Sequence, residues 1–398
     1  MLNLDFIRQN PAAVEKGAAA KNRQIDTAKI LELDEKIKNL KSKIENLRNK
    51  RNKAAEDKNI ETGKKIKTEL GGLEKELAKI EPELNNLLRQ IPNLPAKDVK
   101  IGEDASENEV IKEWGEKPKF NFPAKDYLTL AEKLDIIDVK RAAKASGRRF
   151  GYLKGLAAEL QFALINYGLE ILKKEGFTIV VPPVLLNEKS MAGMGFLEKA
   201  NRDEVYHLEK DNLYLAGTSE QSIGAMHQDE ILDLAQPLLY AGYSTCFRRE
   251  AGSYGKDTKG ILRVHQFDKM EMFVFCRPEE SAQLHEKLLA VEEKIVQGLK
   301  IPYRVVKLCS GDLGNASAKT YDLECWLPGQ NCYRETHSTS NCTDFQARRL
   351  NIRYKNPQTG KNEFCHTLNG TAIAIGRMLI AIIENYQTKD GNIDFSLK

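Results

Sequence analysis

The sequence has little that would mark a membrane or secreted protein. Among its 398 residues no apolar run approaches the roughly 18 that a membrane-spanning helix needs. The opening stretch, MLNLDFIRQNPAAVEKG, holds no apolar core of a secretory signal. Cysteine is sparse: seven residues, an odd number, with no CxxC pair. That pattern argues against a disulfide framework and a zinc site, and it suits a reducing cytoplasm. His227, His265 and His366 stand at no metal-ligand spacing and read as packing or hydrogen-bonding residues. Cys309, Cys325, Cys332, Cys342 and Cys365 read as small buried hydrophobes.

Net charge is also small, +4, but it is unevenly spread. Residues 1–100 carry 22 Lys and Arg against 16 Asp and Glu, a local +6, so the remainder is −2. Residues 36–67 alone hold 12 basic and 4 acidic side chains. Such an excess can attract phosphate and would make binding salt-dependent, although a Lys-rich solvated helix face has the same composition.

The same region has a strong period. Ile30, Leu33, Ile37, Leu40, Ile44 and Leu47 are spaced alternately three and four apart, and Ile66, Leu70, Leu73, Leu77, Ile80, Leu84, Leu87 and Ile91 resume the pattern. Apolar residues at a and d of a heptad predict a coiled coil. The polar break from Asp57 to Gly63 predicts a turn, so residues 27–91 form an antiparallel hairpin with arms of roughly 40 Å at 1.5 Å per residue. Pro82 removes one helix hydrogen bond and predicts a kink or local break in the second arm.

Beyond Ile91-Pro92-Asn93-Leu94-Pro95 the composition changes. We divide the chain into an N-terminal domain, 1–100, a polar linker, 101–125, and a larger domain, 126–398. In the last, strand-like runs at 177–184, Leu213–Ala216, Leu238–Phe247, Glu271–Cys276 and Tyr303–Leu308 alternate with helical patterns at 153–175, 218–231, 279–298 and 371–386. Strands outnumber helices, which predicts an α+β domain on a mostly antiparallel sheet.

The segment 247–271, FRREAGSYGKDTKGILRVHQFDKME, reads as a strand, a glycine-rich basic loop and a returning strand. Arg248 and Glu250, two apart, would face the same side of a strand. The Arg can fork onto a phosphate or carboxylate, and the Glu can accept from an amino group. Lys256, Lys259 and Arg263 add positive charge, and Phe267 offers a face for a base. Read alone, the segment could equally be a β-hairpin with a charged tip.

This stretch resembles motif 2 of the class II aminoacyl-tRNA synthetases. GFTIVVPPV (176–184), with Pro183, resembles motif 1, and NGTAIAIGRMLIAIIENYQ (369–387), with Arg377, resembles motif 3. GTSEQ at 217–221 and LCSGDLGNASAKTYDLECWLPGQNCYRETHSTSNCTDFQARR at 308–349 are similar to seryl-tRNA synthetases in particular. The likeness runs from the N-terminus to about Gly391.

The resemblance implies a class II catalytic domain behind a tRNA-binding hairpin, with ATP as substrate and Mg²⁺ as its companion ion. By matching position, Arg248 holds the α-phosphate and the serine carboxylate, and Arg377 holds the γ-phosphate; these are the catalytic pair. Glu250 accepts from the adenine amino group and Phe267 stacks beneath the adenine. Arg249, Val264, Thr336 and His337 complete the nucleotide contacts. Glu335 and Ser338 hold the metal. Thr218 and Glu220 grip the serine amino group, Glu271 and Thr371 receive its hydroxyl, and Asn369 supports that corner. Lys36, Lys43, Arg48, Lys50, Arg51 and Lys53 are the expected contacts to the long variable arm of tRNA-Ser, and tRNA-Sec stays open as a second substrate. Motif 1 implies a homodimer.

Departures from the commonest bacterial pattern are Ser219 where alanine is frequent, His337 between Thr336 and Ser338, a short hairpin and a short C-terminus. Two other functions fit parts of the chain. A ligase loading an amino acid onto a carrier protein would share the catalytic domain but lack a long hairpin. An inactive coiled-coil RNA-binding paralogue would have lost Arg248, Glu271, Glu335 or Arg377, and all four are present.

Overall fold

The structure, a computed structural model, describes residues 1–198, 202–251 and 259–397. The chain divides into two compact units, Met1–Leu94 and Pro95–Lys398.

In the first unit two short helices, α1 (Leu4–Gln9) and α2 (Pro11–Ala19), precede two long ones, α3 (Thr27–Glu56) and α4 (Ile60–Gln90). Asp26 caps α3 by accepting from the Lys29 N–H, and Asn59 caps α4 by accepting from that of Thr62. Between them the chain reverses over Asp57–Asn59, with Lys58 left-handed at φ 52°. Ile30, Leu33, Ile37 and Leu40 of α3 bury against Ile80, Leu84 and Leu88 of α4, and Ile44 against Ile66 and Leu70. All but Leu88 are the expected heptad positions, and burying them sets α3 and α4 side by side. Near the end of α4 Leu88 is buried where Leu87 was expected, and Leu87 is only partly buried. α4 continues through Pro82 rather than breaking there. Leu77, Ile80 and Leu84 on either side of the proline are all packed in the seam, which holds the helix across its missing hydrogen bond.

The second unit is built on an eight-stranded sheet. Its strands are β1 (Glu109–Trp114), β2 (Thr178–Val180), β3 (Leu238–Phe247), β4 (Gln266–Cys276), β5 (Tyr303–Lys307), β6 (Lys319–Leu327), β7 (Cys332–Thr343) and β8 (His366–Ala374). They lie in the order β1-β5-β6-β7-β8-β4-β3-β2. Every pairing is antiparallel except β2 on β3, which is parallel. The helices named below are α5 (Leu156–Lys174), α6 (Ser219–Ala225), α7 (Ser281–Gly298), α8 (Phe345–Leu350) and α9 (Ile375–Asn385).

Alternation along β4 sorts the two faces of the sheet. Met270, Met272 and Val274 join a core with Leu160 and Leu164 of α5, Leu288 and Ile295 of α7, and Leu379 to Ile383 of α9. Phe273 and Phe275 point the other way, into a smaller core with Ile223 of α6 and Ala347 and Leu350 of α8. Glu271 shares that second side.

Three expectations change. Residues 109–114, inside the expected linker, form an edge strand paired with β5. All but Trp114 of its residues are exposed, so a polar edge strand imitated a linker. The helix expected over 371–386 begins only at Ile375, because Thr371, Ile373 and Ala374 are still paired with β4. Strands β6 and β7 were not among the strand-like runs. No helix among the described residues is long and apolar enough to cross a membrane.

Candidate active site

A cleft of about 270 Å³ opens where β4, β7 and β8 present one face beside α6 and the turn after β3. Its lining includes Thr218, Glu220, Arg248, Glu250, Val264, Phe267, Glu271, Glu335, Thr336, Ser338, Asn369, Thr371 and Arg377. Residues scattered over 160 positions of sequence thus converge on one cavity.

Its amino-acid corner is built from buried polar groups. Glu271 is 2% exposed, forms an ion pair with Lys269, and accepts from the Thr218 hydroxyl at 3.3 Å. Thr218 caps α6, its hydroxyl also accepting from the Glu220 N–H. Glu220 Oε1 accepts from the side-chain amides of Gln346, at 2.9 Å, and Asn369, at 3.1 Å. Burial, and then the nearby Glu271 charge, raise the Glu220 pKa to about 7. Asn369 and Thr371 sit on β8, opposite Phe273 and Glu271 of β4, so strand pairing brings the sheet side of this corner together, and α6 and α8 add Thr218, Glu220 and Gln346.

The wider end carries the cationic groups. Arg248 follows the last residue of β3, and its Nε donates to the Gly217 carbonyl at 3.1 Å. Its guanidinium lies 5.2 Å from the centre of the Phe267 ring, a cation–π contact that orients both. Glu250 lines the same cleft, but not by strand alternation, because β3 has ended at Phe247. Its backbone is left-handed, φ 52°, and its carboxylate accepts from Arg263 at 3.2 Å. Arg377, near the start of α9, pairs with Glu335 of β7 at 2.8 Å and also donates to the Glu335 carbonyl. Against the effect of desolvation, the Arg377 guanidinium holds the Glu335 carboxyl below its usual range.

Two residues expected at the nucleotide lie elsewhere. Arg249 is exposed, with its guanidinium 5.7 Å from the centre of the Tyr206 ring. It falls between Arg248 and Glu250 and takes the opposite side. His337 is buried outside the cleft, its Nδ1 2.8 Å from the Thr336 hydroxyl. Burial lowers its pKa to about 3, so it is neutral and offers phosphate no charge. The cause is a bulge: Glu335 faces Glu324 and His337 faces Leu323, leaving Thr336 as an extra residue in β7. Glu335, Thr336 and Ser338 therefore line the cleft while His337 turns inward. Lys256 lies outside the described residues.

Among the described residues no group of three or more His, Cys, Asp or Glu is arranged to hold a metal by itself. Glu335 and Ser338 supply oxygen ligands of the kind a hard divalent ion takes when phosphate oxygens complete its shell. Behind Ser338, Asp322 accepts from its hydroxyl; burial and the Glu335 charge push the Asp322 pKa well up.

Sequence reasoning missed Lys269, Gln346 and Asp322. Lys269 had a signal, since it stands two before Glu271 on one strand and so on its face. Gln346 and Asp322 had none in the spacing, because their partners come from other elements.

On the six expected RNA contacts, the hairpin makes a distinction. Lys36 pairs with Glu76 at 3.0 Å and Arg48 with Glu74 at 2.8 Å. Lys43, Lys50, Arg51 and Lys53 are exposed and make no ion pair among the described residues.

Comparison with known proteins agrees with both units. The family model of the seryl-tRNA synthetase N-terminal domain matches residues 1–95, and that of the tRNA synthetase class II core domain (G, H, P, S and T) matches residues 204–386. A serine–tRNA ligase of Borrelia garinii subsp. bavariensis is 43% identical over 99% of this chain and 96% of its own length. One from Nitrosopumilus maritimus is 41% identical with the same coverage. Among solved structures, the Pyrococcus horikoshii seryl-tRNA synthetase complexed with ATP superposes with a TM-score of 0.91, at 39% identity over 99% of this chain and 96% of that one. The cytoplasmic serine–tRNA ligase of Naegleria fowleri in complex with AMP gives 0.87, at 33% identity over 98% and 94%. With the cleft, the hairpin and full-length identity pointing the same way, the chain belongs to the seryl-tRNA synthetase family of class II aminoacyl-tRNA synthetases.

Proposed function

We propose that the chain is a serine–tRNA ligase that activates L-serine with ATP and passes it to the 3′ end of tRNA-Ser. The observation that carries this reading is the convergence of Arg248, Arg377, Glu220 and Glu271 on one cleft. The serine carboxylate attacks the α-phosphorus, and pyrophosphate leaves. Negative charge grows on the transferring group, and Arg248, already anchored on Gly217, is in place to stabilise it. Arg377 holds the γ-phosphate, bending ATP so that the leaving group departs in line. Glu250 accepts from the adenine amino group and Phe267 supports the ring; Val264 and Thr336 line the walls beside them. Bound at Glu335 and Ser338, Mg²⁺ would shield the phosphate charge. Positioning does most of the rest, and no protein nucleophile is required.

Selectivity follows from the buried corner. Glu220 takes the substrate ammonium, with Thr218 beside it. Glu271 and Thr371 take the hydroxyl, and Asn369 supports them. Glycine or alanine would leave the Glu271 oxygens without that hydroxyl, and a site of this kind rejects such analogues by about 10⁴–10⁵.

On this reading the hairpin binds the long variable arm of tRNA-Ser through its backbone phosphates, and Lys43 with the tip residues Lys50, Arg51 and Lys53, which make no ion pair among the described residues, are cations that suit it. A carrier-protein ligase would not account for a hairpin matched by the N-terminal family model. The domains act as the N-terminal tRNA-binding part, about 1–100, and the catalytic part, 126–398, whose sheet also takes edge strand β1 from the stretch 101–125. A homodimer is the expected working form. Edge strand β2 is followed by Val181, 82% exposed, and α5 carries Phe162, 64% exposed, apolar side chains of the kind a second copy would cover. Light scattering should then give twice the 44.9 kDa chain mass, and a monomer at micromolar concentration would contradict it. The cytoplasm is the proposed compartment, which suits seven free cysteines.

The deciding test is ATP–pyrophosphate exchange with each of the twenty amino acids. Exchange with serine alone is the expected outcome. Equal exchange with alanine would remove the hydroxyl pocket from Glu271.

A further inference from the structure

Gln346 belongs to the DFQARR stretch that carried part of the family resemblance, yet that resemblance gave it no role. It sits on α8, is 0% exposed, and lies between the buried side chains of Phe345 and Ala347. Its two amide ends are both used. The Thr367 hydroxyl of β8, also 0% exposed, donates to Gln346 Oε1 at 2.7 Å. With its oxygen engaged there, Nε2 is turned towards Glu220 and donates to Oε1 at 2.9 Å. Asn369 Nδ2 donates to the same oxygen at 3.1 Å. Glu220 therefore has one oxygen saturated by two amides from two different elements. Among the described residues no donor reaches its other oxygen, and the residue lines the cleft.

We propose that Gln346 is a positioning residue for the amino-acid subsite, its amide locked by Thr367 so that it fixes the Glu220 carboxylate with one oxygen turned to the substrate ammonium. The proposal rests on the reading of Glu220 as the ammonium ligand. The physical need is specific. A carboxylate in a buried pocket has two costs: it loses hydration, and it can rotate to pair with the wrong neighbour. Lys269, on β4, and Arg248, after β3, are the cations that face it, and Glu271 is the anion. Left unclamped, Glu220 could turn towards either cation and offer the substrate no free oxygen. Two neutral amides hold it without neutralising it. A hydrogen bond from a neutral donor favours the ionised form, which is the form that binds an ammonium group.

The test is steady-state pyrophosphate exchange on the full chain with Gln346→Met, which keeps the length and removes the donor. The serine KM should rise about tenfold or more, the loss expected for one hydrogen bond to a charged group. The ATP KM should stay within about twofold. The pH profile adds a readout that simple loosening would not move. Burial and Glu271 raise the Glu220 pKa to about 7, and Gln346 opposes them. Serine binding is fully present above that pKa and is lost as pH falls through it. Removing the donor should move the acid limb of kcat/KM for serine to higher pH. Thr367→Val, which frees the amide to turn, should shift both quantities in the same direction by less, and it disturbs the corner least. Glu220→Gln is the reference. Loss of serine affinity in Glu220→Gln with none in Gln346→Met or Thr367→Val would overturn the role of Gln346 alone. No loss in any of the three would overturn the subsite reading and the proposal with it. A parallel rise in the ATP KM with an unmoved acid limb would make Gln346 merely structural and would also overturn it.

Discussion

The hairpin and the cleft use charge in opposite ways. Along the hairpin the apolar seam is inside and nearly all charges are outside, the exception being Asp34, buried near the base and paired with Arg8 and Lys38. Lys29–Glu83, Lys36–Glu76, Lys41–Glu81 and Arg48–Glu74 cross between the helices at 2.7 to 3.0 Å, each partner more than a third exposed. Water competes for every one of these pairs, so each contributes little. In the cleft the order is reversed. Lys269, Glu271 and Glu220 are buried: Lys269 pairs with Glu271 on the same strand, and Glu271 and Glu220 are held by Thr218, Gln346 and Asn369 from other elements. Breaking a buried pair leaves a charge with neither water nor partner, at a cost of about 3–5 kcal/mol. Apart from the buried Asp34, charge on the hairpin is therefore replaceable side chain by side chain, whereas charge in the cleft is fixed by its surroundings.

The largest effect should come from separating the two. Deleting residues 27–91 should abolish tRNA charging while serine-dependent pyrophosphate exchange continues near its full rate. Charging that survives the deletion would end the idea that the hairpin is the RNA-binding element. Next comes the cleft's own central charge. Glu271→Ala should lower kcat/KM for serine in exchange by about 10³-fold or more, in line with losing the hydroxyl pocket. ATP binding, measured by calorimetry, should persist. The substitution also strands Lys269, so a lower melting temperature is expected from the same variant. Unchanged activation kinetics would place the hydroxyl pocket elsewhere.

The same contrast explains what could be read from sequence. The hairpin was legible because its seam repeats every seven residues, although its base also packs on Ile7 and Val14 of α1 and α2. Strand β3 was legible at both ends for a similar local reason. Strand β7 was not read as a strand. Thr336, His337, Thr339, Ser340 and Asn341 are all buried there, so the polar side of a strand that lines or backs a cleft masks the usual alternation. Edge strand β1 failed for the converse reason, since it buries almost nothing. In the site, Arg248, Glu271, Glu335 and Arg377, singled out by motif, all line the one cleft. His337 and Arg249 lie outside that lining, because a bulge in β7 and the left-handed turn after β3 decide which way a neighbour points. Spacing along the chain does not record a bulge, and it does not record that Gln346 and Thr367 meet.

The smallest expected effect sharpens the comparison most finely, because it separates paired from unpaired cations within the hairpin. Lys36→Gln with Arg48→Gln removes two positive charges that already face Glu76 and Glu74. The stability change should stay within about 1 kcal/mol per pair, read by denaturant unfolding. Lys50, Arg51 and Lys53 make no such pair among the described residues, so their field reaches solvent uncancelled. Changing all three to Gln should leave stability nearly unchanged yet flatten the salt dependence of tRNA binding. If each cation meets one phosphate, the slope of log K against log salt should fall by about 0.7–0.9 for each one removed. The paired double variant should move that slope less, because a Lys–Glu pair presents almost no net charge to a phosphate. Equal slope changes in the two variants would mean that the ion pairs open when RNA binds, and the hairpin would then hold its charges in reserve rather than spend them on its own helices.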